Sequence, residues 1–297
     1  MIQTAGYSSL RFFYFPKITM HHFRHTHKAE SSNRSIVRIG NAEVGGGDFT
    51  LIAGPCSVES YEILNQVGET CQRLSVPCIR GGAFKARTSP YSFQGLGEEG
   101  LQILGRVRRE RGLGIVTEVM TAEHIRLAEP YADCLQVGSR NMQNFELLKE
   151  LGAQRKPVLL KRGLSATIEE FLLAAEYIMA GGNDQVILCE RGIRSFDSST
   201  RNVLDLAGVA LLKELTHLPV IVDPSHATGR RSLILATSRA AAAVGADGLI
   251  LEAHPEPASS ISDADQAISL EQLEELVPSV RSIAAMVREE QPMELAA

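Results

Sequence analysis

The chain has 297 residues, 44% of them hydrophobic and 22% charged, the balance of a globular protein with one large core. Its net charge of -5 argues against a nucleic-acid binder, whose domain would be basic, and no apolar run approaches the ~20 residues that cross a bilayer. Five cysteines, Cys56, Cys71, Cys78, Cys134 and Cys189, contain no CxxC pair, which fits a reducing, cytoplasmic setting without a disulfide framework.

Residues 1–34 carry Arg11, Lys17, Arg24, Lys28 and Arg34 against a single acid, Glu30, together with His21, His22, His25 and His27. The aromatic run Phe12-Phe13-Tyr14-Phe15 fits a targeting peptide poorly. A disordered extension, or a start at Met20, is expected instead, and the histidine cluster is given no function. Residues 35–48 read as a small hairpin turning at Gly40-Asn41, placed to plug the bottom of a barrel. The catalytic domain is expected to span 35–290, with a tail at 291–297.

From residue 49 onward, short apolar runs alternate with helical stretches. The eight runs are 49–55, 78–84, 114–119, 134–139, 157–163, 185–191, 218–224 and 248–254. They are nearly continuous rather than alternating, as parallel strands buried on both faces require. Helical spacing is clearest over 169–180, 203–215, 232–244 and 270–287. Eight evenly spaced units predict an α/β fold, a (β/α)8 TIM barrel, rather than an open doubly wound sheet.

The active site of such a barrel lies at the C-terminal ends of its strands. There the chain delivers Cys56, then Arg80 to Ser89, Glu118, Ser139-Arg140, Lys161-Arg162, Glu190-Arg191, Asp223 to His226, and Glu252 to His254. Any one of these is an ordinary solvated strand end, but all eight strands end this way. Arg80, Lys85, Arg87, Arg140, Lys161 and Arg191 repel one another unless anions lie among them, and guanidinium forks match phosphate and carboxylate. The substrates should therefore be polyanions. Cys56 alone is as readily a small core residue as a ligand, and His226 alone as readily a hydrogen-bonding one. Together with Glu252 and Asp263 they form a mixed thiolate, imidazole and carboxylate set suited to one divalent first-row ion, with manganese, iron, cobalt and zinc all acceptable. An exposed metal-binding thiolate at Cys56 would oxidise readily.

These motifs resemble those of 3-deoxy-D-arabino-heptulosonate 7-phosphate (DAHP) synthases, in the short bacterial-type (beta) branch of class I. The resemblance covers residues 35–285. It rests on Ala53 to Glu59, Arg80 to Gly97, Gln136 to Asn141, Lys161-Arg162-Gly163, Glu190-Arg191-Gly192, Asp223-Pro224-Ser225-His226, Glu252-Ala253-His254-Pro255 and Ser262-Asp263. It implies a transferase that joins phosphoenolpyruvate to erythrose 4-phosphate in an aldol-type step, the first of the shikimate pathway. Cys56, His226, Glu252 and Asp263 fall on the family's metal ligands. Arg80, Lys85, Ser139, Arg140, Lys161 and Arg191 fall on its phosphoenolpyruvate site, and Arg87, Thr88 and Ser89 on its aldose-phosphate site. Lys85, Glu118 and His226 are the expected catalytic residues.

One departure touches the substrate. Lys85-Ala86-Arg87-Thr88 stands where the family commonly has Lys-Pro-Arg-Thr. The sister 3-deoxy-D-manno-octulosonate 8-phosphate synthases, which take arabinose 5-phosphate, have Lys-Ala-Asn-Arg. Arg87-Thr88 and the following Ser89 to Gly95 favour the heptulosonate enzyme, since replacing proline by alanine alters loop stiffness more than chemistry. Sialic-acid-type synthases lack this signature, and a catalytically dead barrel serving as a binding module would show gaps in the ligand set. Few residues precede the first strand, so no N-terminal regulatory domain is expected. Weak direct feedback, a homo-oligomer of two or four chains and control through a partner protein complete the expectations.

Overall fold

The computed structural model describes residues 23–28, 34–86 and 89–290. Arg87 and Thr88 lie outside the described residues, as do most of 1–34 and the tail 291–297.

A hairpin leads into the barrel. Strands β1 (Val37–Ile39) and β2 (Ala42–Val44) pair antiparallel, Val37 opposite Val44. Gly40 turns the chain with a left-handed φ of 57°, a conformation that costs glycine nothing.

Eight parallel strands follow: β3 (Thr50–Gly54), β4 (Cys78–Arg80), β5 (Gly114–Glu118), β6 (Cys134–Val137), β7 (Val158–Lys161), β8 (Val186–Glu190), β9 (Val220–Val222) and β10 (Gly248–Glu252). Each pairs with the next in sequence, and β10 pairs with both β9 and β3, closing the barrel. The structure is therefore the expected closed (β/α)8 barrel. Its strands are buried along almost their whole length.

The helices are α1 (Tyr61–Arg73), α2 (Glu98–Arg111), α3 (Ala122–Ala128), α4 (Phe145–Gly152), α5 (Ile168–Ala180), α6 (Leu206–Leu215), α7 (Pro224–Thr228), α8 (Ile234–Ala243) and α9 (Leu270–Glu290). Local chemistry starts several of them. Ser60, Thr121, Asn144, Thr167, Asp205 and Asp223 each accept a backbone N–H of the first turn, satisfying donors that the helix leaves open. The Asp205 cap explains why α6 begins at Leu206 rather than 203. Val203 instead bridges to Ile193 in the loop before it.

Strand alternation divides the core in two. Ile52, Cys78, Val116, Cys134, Leu159, Ile187, Cys189, Ile221 and Ile250 fill the barrel interior together with Val37, Ile39, Ala42 and Val44 of the hairpin. The hairpin thus closes the N-terminal end. The other strand residues, Leu51, Ala53 and Ile79 among them, pack outward against the helices. A fully buried side chain of this size contributes roughly 1.5–3 kcal/mol. Within the stretch expected to be disordered, Phe23 is buried. Thr26 donates through its N and Oγ1 to Glu176 Oε1, at 2.7 and 2.9 Å.

Candidate metal centre and anion pocket

The barrel brings four separated residues to one point. Cys56 lies just past β3, His226 in α7 directly after β9, Glu252 at the end of β10 and Asp263 in the loop that follows. Strands β9, β10 and β3 are neighbours in the sheet, so the ligand-capable atoms of all four residues lie within 4.8 Å of one another. Cys56 Sγ donates to Asp263 Oδ2 at 2.9 Å, and His226 Nε2 is 3.1 Å from Glu252 Oε1. Asp263 adopts a left-handed φ of 56°, uncommon for a non-glycine residue and typical of functional positions.

The surrounding residues orient this group. His226 Nδ1 meets Asp223 Oδ2 at 2.7 Å, which turns Nε2 towards Glu252 in the carboxylate–imidazole pattern common at metal sites. Burial opposes charge on these groups, but their mutual attraction outweighs it. Asp223 is held well below the usual carboxylate range by His226 and Lys161, Glu252 is depressed by His226 and Arg80, and His226 is raised to about 10 by Asp223 and Glu252. The carboxylates of Glu252 and Asp263, meeting beside Cys56 and His226, call for positive charge at the centre of the cluster. A divalent cation meets that demand, and thiolate, imidazole and carboxylate donors suit a first-row ion. The residues fit such a group.

Beside the cluster opens a cavity of about 550 Å³. Seven cations line it, Arg80, Lys85, Arg140, Lys161, Arg191, Arg194 and Arg201, against the two carboxylates Glu118 and Asp263. Gathering them costs repulsion that anionic ligands relieve. Lys85 Nζ donates to Cys56 O at 2.9 Å and to Cys56 Sγ at 3.0 Å, so one ammonium joins the cavity to the cluster. Lys161 pairs with Asp223. Arg80 reaches Glu252 Oε1 at 3.2 Å, while its buried Nε has no hydrogen-bond partner among the described residues. Arg191 is anchored through carbonyls of Gly192 and His226.

Of the residues expected at the site, Arg80, Lys85, Ser89, Glu118, Ser139, Arg140, Lys161, Arg191, His226 and Asp263 line this cavity. Cys56 and Glu252 lie behind it in the cluster. Arg87 and Thr88 fall outside the described residues. Cys56 is 2% exposed, which corrects the expectation of an exposed thiolate: Lys85 and Asp263 cover it. Arg162 points away from the cavity to Glu190 and Asp205, because neighbouring strand residues face opposite sides. Sequence reasoning missed Arg194, Arg201, Asn202 and Gln266, and quoted Gln136 without a role. It quoted Asp223 without a role, although an aspartate three residues before His226 carries the spacing of a helix cap. The arginines sit in the aperiodic loop between β8 and α6, where no pattern marks them.

The chain is similar to known proteins over most of its length. It is 50% identical over 250 residues to phospho-2-dehydro-3-deoxyheptonate aldolase of Thermotoga maritima, covering 84% of this chain and 74% of that protein. It is 34% identical over 258 residues to 2-dehydro-3-deoxyphosphooctonate aldolase of Acidithiobacillus ferrooxidans, covering 81% and 91%. The crystal structure of the Thermotoga maritima DAHP synthase superposes with a TM-score of 0.85 at 47% identity, over 88% of this chain and 77% of that one. A truncated form of that synthase gives 0.83 at 44% identity, over 90% and 98%. The sequence model of the DAHP synthetase I family matches residues 26–289, and the chain, barrel and cluster included, belongs to that family.

Proposed function

We infer that the protein is a 3-deoxy-7-phosphoheptulonate synthase, joining phosphoenolpyruvate, erythrose 4-phosphate and water to give 3-deoxy-D-arabino-heptulosonate 7-phosphate and phosphate, the first step of the shikimate pathway. The observation that carries this reading is the junction of two sites in one barrel mouth. A cavity lined by seven cations opens onto a buried cluster of Cys56, His226, Glu252 and Asp263. Two phosphates and a carboxylate enter such a cavity, and an electrophile is activated beside it.

Cys56, His226, Glu252 and Asp263 would hold one divalent ion. When bound it supplies Lewis acidity towards a carbonyl oxygen. Manganese, iron, cobalt and zinc all suit the donor set.

In this reading Arg80, Arg140, Lys161 and Arg191, with Ser139, hold phosphoenolpyruvate. Arg87, Thr88 and Ser89 take the aldose phosphate. Fixing both partners makes the bond formation effectively unimolecular. The C3 carbon of phosphoenolpyruvate attacks the aldehyde carbon, and the aldehyde oxygen takes a proton. Lys85 is assigned that transfer, because its ammonium stands between cluster and cavity. Water then adds at the electron-poor C2, and Glu118 orients it. The resulting hemiketal phosphate expels inorganic phosphate and leaves the keto acid. The arginines and lysines stabilise charge throughout.

The five cysteines are all unpaired, in keeping with a cytoplasmic setting. No helix among the described residues is long and apolar enough to cross a membrane. Assembly as a homo-oligomer of two or four chains follows the family resemblance, and light scattering tests it.

The function is tested by following phosphoenolpyruvate consumption with manganese, offering erythrose 4-phosphate and arabinose 5-phosphate separately, with and without EDTA. Turnover with the four-carbon sugar alone, abolished by EDTA, is expected. Preference for the five-carbon sugar would mean that Ala86 outweighs Arg87-Thr88. Turnover surviving full metal removal would undo the ligand assignment.

A further inference from the structure

Gln266 is 2% exposed and sits three residues beyond Asp263. Its Nε2 donates to Glu252 Oε2 at 2.6 Å. Its Oε1 accepts from Arg201 Nη1 at 2.7 Å, and the same guanidinium nitrogen lies 3.4 Å from Asp263 Oδ1. Chemistry fixes the orientation of the amide. Reversed, it would set a carbonyl oxygen against a carboxylate and an NH2 against a guanidinium.

The two oxygens of Glu252 are thereby given different work. Oε2 is engaged by Gln266, while Oε1 faces His226 Nε2 at 3.1 Å and Arg80 at 3.2 Å. A carboxylate held by one oxygen presents the other singly and in a fixed direction. Arg201 is partly exposed and lines the cavity, so the tie runs from the loop between β8 and α6, through a buried amide, to one ligand, and directly to a second.

We propose that Gln266 is a positioning residue of the metal centre, holding Glu252 to one-oxygen ligation, with Arg201 as the outer half of the same tie linking the β8–α6 loop to Glu252 and Asp263. The inference rests on the reading of the four-residue cluster as a metal site. Outer partners of metal ligands typically change affinity by about 10–100-fold when removed, because the ligand regains freedom that binding must then take away. Gln266 acts through Glu252 and has no contact of its own with substrate in this scheme.

The test uses Gln266→Met, close in volume and unable to make either hydrogen bond, and Gln266→Glu, which keeps an acceptor for Arg201 but sets a carboxylate against Glu252. Manganese affinity is measured calorimetrically on metal-stripped full-length protein, and the cobalt-loaded protein is examined by visible absorption. Expected are a roughly 10–100-fold weaker manganese affinity in Gln266→Met, at least as large a loss in Gln266→Glu, and an altered cobalt spectrum in both. Arg201→Ala, at a partly exposed position, should move affinity in the same direction by less. Wild-type affinity and an unchanged cobalt spectrum in a folded Gln266→Met would overturn the proposal. If either Gln266 variant fails to fold, Arg201→Ala decides, and unaltered affinity there overturns it. A wild-type protein that binds neither ion sinks the cluster reading itself, a result distinct from failure of the tie.

Discussion

The carboxylate of Glu118 lies directly over Gly138, so close that a methyl group added to Gly138 would stand 2.0 Å from Oε1 and 2.9 Å from the carboxyl carbon. Glu118 ends β5, and Gly138 follows β6, the next strand round the barrel. Gln136 Nε2, on β6, holds the other carboxylate oxygen at 3.3 Å. A side chain at Gly138 would make the Glu118 carboxylate move, so the glycine helps set where Glu118 stands.

Gly138→Ala should therefore displace Glu118. We expect a small loss of stability, since the clashing atoms end a flexible side chain at an open cavity, and a lower turnover. Combining it with Glu118→Ala should recover most of the stability and none of the turnover, because the clash and the working group are the same side chain. Denaturant unfolding and steady-state kinetics on the single and double variants measure this. Independent, additive stability effects would refute the contact.

Lys85→Met keeps most of the buried stem and removes the ammonium that touches Cys56. If Lys85 delivers a proton to the aldehyde oxygen, kcat should fall by about 10²–10⁴-fold, with the KM for phosphoenolpyruvate changing by far less. An equal change in both would assign Lys85 to binding, and unchanged turnover would remove it from the mechanism.

Asp223 is fully buried, pairs with Lys161 and His226, and caps α7 through Oδ1. Asp223→Asn keeps a capping oxygen but strips the negative charge between two groups that depend on it. Breaking such a buried pair typically costs ~3–5 kcal/mol. Urea unfolding should show a loss of that order, and manganese affinity should fall because His226 loses its orienting partner. A fully stable variant with native affinity would contradict the geometry.

Ile39→Ala probes the opposite end of the barrel. Ile39 is fully buried in the hairpin that closes the N-terminal face. Truncation should cost ~2–5 kcal/mol while kcat measured below the unfolding transition stays near wild type, since the chemistry belongs to the other face. A large drop in kcat at full folding would show coupling along the barrel.

The eight strands and the hairpin turn were readable from residues alone, because their signals are local. Each strand is a short apolar run buried on both faces, and Gly40-Asn41 marks a turn wherever it falls. The strand ends also announced a polyanion site and a metal-capable set, because most of the site's charged groups sit at or just past the ends of the strands. Boundaries set by capping were less visible: Asp205, which fixes the start of α6, is one polar residue in a polar loop.

Tertiary structure alone decided which of these groups meet. Cys56 and Asp263 touch across 207 positions in sequence, and nothing near either residue encodes that contact. Closure of β10 onto β3 brings them together. Loop residues such as Arg194, Arg201 and Gln266 carry no periodicity, so their work appears only when the loops fold over the mouth. Lys161 and Arg162 are alike in charge and adjacent in sequence, yet strand alternation sends one into the cavity and the other into a buried ion pair with Glu190. Residue type and spacing determined the barrel and the chemistry it can host, while the closed sheet, by fixing direction and distance, determined the site.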